Sequence, residues 1–217
     1  AVHDSEGLMI ELHNGEWVWR PLANPSQLEI SSFATQPPLG FGLMQRNRDF
    51  DDYDDLEAAY ERRPNVWIAP KDGWGPGNLT LVEIPTTNEY NDNIVVSWRP
   101  AEAWDAGKPV RLSYQMIWSL PQPVVAPVAK VTATKRPMFI IDFDSDNDAL
   151  LRDAIPQVST SSGTIISPIV RPNPKTGGIR LSFELDSKDA SLSELRALMT
   201  KADHPVSETW LYRWRSQ

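Results

Sequence analysis

Met9-Ile10-Glu11-Leu12-His13-Asn14-Gly15-Glu16-Trp17-Val18-Trp19-Arg20 decides the fold class. Two short apolar runs flank Asn-Gly, the dipeptide that most readily supplies the positive φ angles of a tight turn, so the stretch reads as a β-hairpin. Similar runs recur down the chain. Leu79–Ile84 and Ile94–Trp98 are strands on either side of a polar loop, 85–93. In Arg111–Trp118 the alternation puts Leu112, Tyr114, Met116 and Trp118 on one face, as in a half-buried antiparallel strand. Phe139–Phe143, Thr164–Arg171, Ile179–Asp186 and Trp210–Arg215 follow, with 173–178 as a hairpin loop. The stretch 191–199 carries helical leucine spacing and a Ser191/Glu194 capping pair, but a sandwich needs a strand there, and the strand is the reading taken.

The exception is Phe50–Arg63, which reads as a short helix or helical turn. Acids crowd its start, arginines its end, and Leu56 and Tyr60 lie four apart. The proline-rich run Leu120–Lys130 cannot occupy a central strand and reads as an extended linker. The expected organisation is therefore an all-β unit over 1–118, a linker over 119–131 and a small immunoglobulin-like sandwich over 132–217.

Composition narrows the function classes. In 217 residues the net charge is -8, which disfavours nucleic-acid and anionic-membrane partners, since both need a basic face. Nine tryptophans suit a β-core or a sugar-stacking platform. Cysteine is absent, which excludes disulfide scaffolding and thiol chemistry. No apolar run reaches membrane-spanning length, and no signal-peptide pattern opens the chain. Asp142–Asp148 resembles a calcium loop but lacks the glycine and the terminal glutamate of one, so it reads as an acidic turn. The three histidines have no zinc spacing, and no phosphate loop, dinucleotide fingerprint or nucleophile elbow is present. No cofactor or metal is expected.

Several longer strings carry a family resemblance. They are His3–Leu8, Trp19–Pro25, Gly40–Phe50, Tyr53–Pro64, Leu81–Val95 and Ser207–Tyr212. With these the chain resembles the C-terminal half of the periplasmic glucan biosynthesis proteins of the OpgG/OpgD (MdoG/MdoD) family. The resemblance implies an all-β fold: the C-terminal part of a large galactose-mutarotase-like β-sandwich followed by a small immunoglobulin-like one. It also implies a periplasmic location, with the signal peptide and the first half of the large sandwich preceding this sequence.

For chemistry, the resemblance implies action on a β-1,2-glucan backbone, by inverting endo-cleavage or by glycosyl transfer. Inversion needs an acid on the leaving oxygen and a base on a water across the ring. Asp92, with Glu89 beside it, matches the family's acid; Asp4 matches the base, acting through water and the Tyr60 hydroxyl. Read without the resemblance, Asp92 lies in Asn91-Asp92-Asn93, a loop composition whose side chains ordinarily cap local backbone groups. Glu6 departs from the family's Asp, conserving charge on a longer arm. Trp74, between Gly73 and Gly75, is either a sugar platform or a loop tryptophan folded onto the sandwich. Arg46, Arg48 and Arg62 either donate to sugar hydroxyls or pair with the acids of 49–55, pairing being preferred for Arg48. The alternative function is a non-catalytic glucan-binding factor that assists the membrane glucosyltransferase in branching or release, and a third makes the small domain a protein–protein module.

Overall fold

A computed structural model describes residues 5–53, 56, 58–87, 92–135 and 138–216. Eight strands precede the proline-rich segment: β1 (Gly7–Glu11), β2 (Trp17–Pro21), β3 (Glu29–Thr35), β4 (Gly40–Met44), β5 (Asn65–Pro70), β6 (Gly77–Glu83), β7 (Ile94–Pro100) and β8 (Tyr114–Ser119). Eight follow it: β9 (Lys130–Lys135), β10 (Phe139–Asp144), β11 (Ile155–Thr160), β12 (Thr164–Pro172), β13 (Ile179–Asp186), β14 (Leu192–Lys201), β15 (His204–Pro205) and β16 (Thr209–Arg215). The one α-helix among the described residues is α1 (Asp148–Leu151). The fold is all-β, built of several sheets.

The chain forms two compact units: Ala1–Gly15 with Leu22–Val124, and Glu16–Pro21 with Val125–Gln217. The Asn-Gly turn forms as its sequence demands: Gly15 has φ 82° and donates its N–H to Leu12 O at 3.0 Å. Its second arm, β2, belongs to the second unit.

The first unit holds the sheet β1-β4-β5-β8 and the sheet β3-β6-β7. Alternation in β6 buries Gly77, Leu79, Leu81 and Glu83 on one face, as period-two patterning requires. Gly40 and Gly42 have a packing reason: a Cβ on Gly40 would meet the Trp67 ring at 2.1 Å, and one on Gly42 the Val66 carbonyl at 2.0 Å. β8 forms as a strand, but its apolar face is not half-buried. Tyr114, Met116 and Trp118 are 52, 46 and 63% exposed, so nothing among the described residues covers that face; β8 is also the edge strand of its sheet within this unit. Leu112 precedes the strand.

In the second unit the sheets are β11-β14-β16-β2, with β15 on β14, and β12-β13-β10-β9. An aromatic core joins them. Phe139 and Phe183 stack at 5.2 Å, Trp210 and Tyr212 at 5.4 Å, and Phe139 meets Trp210 edge-on at 6.0 Å. The 191–199 stretch is strand β14, since pairing with both β11 and β16 supplies what its helical leucine spacing would otherwise offer. Asp142 lies within β10 opposite Arg180, which grips it with two bonds of 2.7 and 2.8 Å.

The string Ser207–Tyr212 is accounted for by folding. Glu208 is fully buried; its Oε2 accepts the Val131 N–H at 2.8 Å, and its own N–H reaches Ala129 O at 2.7 Å. Ser207 Oγ accepts the Met199 N–H at 2.8 Å, and Thr209 Oγ1 donates to Glu16 at 2.6 Å. Trp210 is wholly buried beside Trp19 of β2, its partner in a short parallel register.

Candidate functional site

The site is built where the chain leaves β4. Gln45 donates its backbone N–H to Asn65 Oδ1 at 2.7 Å, while the Asn65 amide donates to the carbonyls of Ser119 and Leu120 at 3.1 and 2.9 Å. One buried asparagine thus fixes the start of the loop to β5 and the end of β8. Glu6 fixes the next step. Its Oε2 accepts the backbone N–H of Arg46 at 2.5 Å and that of Asn47. Burial raises the Glu6 pKa above its ordinary value, opposed by those two N–H groups and by the charges of Arg46 and Arg48.

Among the described residues of 50–63 the helical-turn reading takes the form of two 3₁₀ turns, Phe50–Asp52 and Tyr60–Arg62. The first is capped by Asp49, whose Oδ1 accepts the Asp51 N–H at 3.1 Å. The second follows Ala59, held at φ 47° in the left-handed region that L-residues avoid. Arg48 bridges the far side by donating Nη1 to the carbonyls of Glu61 and Arg63 at 2.8 and 3.1 Å. Its described bonds go to backbone, in place of the acids of 49–55. Its Nη2, and Glu61 Oε2, are buried without a hydrogen-bond partner among the described residues.

Two tyrosines meet here. Tyr60 is 2% exposed, its ring 5.8 Å from that of Tyr53 and 5.8 Å from the Arg63 guanidinium. Tyr53 takes the Gln45 amide on its hydroxyl at 2.5 Å and lies 3.3 Å from Asn47 O. Burial first, and the Glu6 charge second, push its pKa up to about 12, so it is a neutral phenol throughout the ordinary pH range. A partly buried carboxyl, two phenols and two guanidiniums can orient a polyol and pass a proton.

The other expected site residues fall as follows. Asp92 is exposed, immediately before the buried Asn93 and strand β7. Asp4 and Glu89 lie outside the described residues. Arg46 is half-buried, with Nη2 3.6 Å from Met9 Sδ, whereas Arg62 is exposed and pairs with Glu61 at 3.1 Å. Trp74 lies among Phe41, Trp98 and Tyr114 at 6.2, 5.7 and 6.4 Å, with its Nε1 donated to Ser113 O at 2.8 Å. That commits its one polar atom to the fold. Neither Tyr53 nor Trp98 is marked as a site residue by pattern: Tyr53 reads as part of the helical stretch 50–63 and of a string that carries the resemblance, and Trp98 reads simply as a strand residue. No group of three or more candidate metal ligands occurs among the described residues.

The sheets and this tyrosine–carboxylate cluster define an all-β protein with a candidate polar site at one sheet end. The family model described as "Periplasmic glucan biosynthesis protein, MdoG" matches residues 1–214. "Glucans biosynthesis protein G" of Vibrio cholerae serotype O1 is 44% identical over 227 residues, covering 99% of this chain and 41% of that relative. The protein of the same name from Shewanella frigidimarina is 44% identical over 98% of this chain and 40% of its own length. That of Shewanella baltica strain OS195 is 41% identical over 98% and 41%. The chain belongs to the periplasmic glucan biosynthesis protein family. It spans about two fifths of the length of the relatives it matches.

Proposed function

We propose that the protein acts in the periplasm on a β-1,2-glucan backbone, as an inverting endo-glucanase or a transglycosylase. The observation that supports this best is Tyr60: buried, preceded by a left-handed alanine, and set between Tyr53 and Arg63. Strained backbone beside a buried phenol is the kind of feature that clusters at catalytic positions. In this reading Asp92 gives its proton to the departing glycosidic oxygen. A water attacks the anomeric carbon from the opposite face and loses its proton through the Tyr60 hydroxyl to Asp4. Glu89 stands beside the acid, and Arg46 and Arg62 contact sugar hydroxyls. In transfer, a sugar hydroxyl replaces the water.

The relatives are named for glucan biosynthesis, which favours a second reading: a binding factor that serves the membrane glucosyltransferase. The test is incubation of the whole protein and of Asp92→Asn with linear β-1,2-glucan, following chain length by mass spectrometry. The catalytic reading expects wild-type turnover, a loss of at least about 100-fold in the variant, and binding within about twofold, because the change affects the transition state alone. Glucan bound by both proteins and altered by neither makes the protein a carrier.

A further inference from the structure

A cleft of about 500 Å³ opens in the first unit, away from the Tyr60 cluster in sequence, lined among others by Gly75, Trp98, Glu102, Trp104, Asp105 and Leu112. That volume falls in the range of about 300 to 1,000 Å³ typical of small-ligand sites. Trp98 forms a braced wall. It packs at 5.7 Å on Trp74, whose indole is anchored on Ser113 O, and its ring closes over Gly77, where a Cβ would meet it at 2.6 Å. Trp104 is different: it is 53% exposed and makes no hydrogen bond or ring contact among the described residues. The segment bearing it is held at both ends, by Ala101 N–H to Pro76 O at 2.8 Å and by Lys108 N–H to Asp105 O at 3.2 Å.

The polar groups indicate which ligand fits. Glu102 has no partner among the described residues, and Asp105 spends one oxygen on Lys108 at 2.6 Å. Carboxylates accept hydrogen bonds from hydroxyls on both oxygens and repel anions. An indole face offers apolar contact to the C–H face of a sugar ring. We infer that this cleft is a second glucan-binding site, in which Trp104 carries one sugar ring and Glu102 and Asp105 accept its hydroxyls. The inference rests on the glucan reading above. Trp98, in β7, lies six residues beyond Asp92, at most about 20 Å at the rise of an extended chain. The cleft therefore anchors a chain at a distance from the cutting position, favouring long glucans over short ones.

Titration calorimetry tests this with linear β-1,2-gluco-oligosaccharides as the probe. The whole protein carries Asp92→Asn, so that the probe is not consumed. Trp104→Ala removes an exposed ring. Gly75→Leu points a side chain into the cleft from a position where a Cβ meets nothing within 4 Å. Each is expected to weaken binding of long oligosaccharides about tenfold while the melting temperature stays unchanged. Long-chain binding equal to that of the parent in both variants overturns the second site and leaves the glucan reading standing. A parent protein that binds no glucan of any length overturns both.

Discussion

Glu6 and Glu208 are carboxylates at comparable jobs in the two units: Glu6 takes two backbone N–H groups, and Glu208 takes the Val131 N–H, from a segment remote in sequence. Their surroundings differ. Glu208 is fully enclosed, beside a serine and a threonine that are themselves bonded, at the edge of an aromatic core. Glu6 is only partly covered and faces two arginines, a phenol with a raised pKa and polar atoms without described partners. The same bond pattern closes one region and leaves the other chemically available. A buried acid becomes interesting when its neighbours are titratable, beyond its merely being buried.

The contrast can be broken most decisively at Glu208. Glu208→Ala strands the Val131 N–H and opens a void, at a cost of about 3 kcal/mol. Glu208→Gln keeps an acceptor oxygen and is expected to lose less than half of that. Denaturant unfolding measures both, and an unchanged midpoint for the alanine variant would refute the structural role. At Glu6 the readout is pH. Glu6 holds its proton more tightly in the folded chain than in the unfolded one, so its contribution to stability falls as pH rises from its ordinary value of 4.5 through the raised folded value. Glu6→Gln removes that fall. Identical stability-against-pH slopes for parent and variant in that window would contradict the raised value. The smallest effect is at Tyr53: Tyr53→Phe deprives the Gln45 amide of one of its two acceptors, leaving Asn47 O, at a cost of about 1 kcal/mol, and is expected to remove from an ultraviolet titration the phenol whose pKa is pushed up to about 12.

The strands were legible because period-two alternation and Asn-Gly, Pro and Gly punctuation are local signals. Even 191–199 followed once sheet pairing was weighed against leucine spacing. The exposure of β8 was not legible, since alternation reports that one face is apolar and says nothing of what covers it; Tyr114, Met116 and Trp118 are exposed. The helical turn at Tyr60 was legible, but its bracing by Arg48, which reaches the carbonyls of Glu61 and Arg63 from thirteen and fifteen residues away, was not, because no local window contains it. In the site, Tyr60 was reachable through resemblance alone. Its neighbours Tyr53 and Glu6 gain their properties from burial and mutual charge, which depend on tertiary placement. Asp92 stands exposed at the head of β7, and its role is a matter for the turnover experiment.

The excursion of β2 has a consequence for inheritance. The chain visits the second unit for Glu16–Pro21, returns to the first, and enters the second again after Val124. A cut in the proline-rich segment would separate Trp210 from its pairing partner Trp19 and leave the later piece one strand short. Neither unit can therefore be traded between proteins as a contiguous cassette; recombination that moves one must carry part of the other with it.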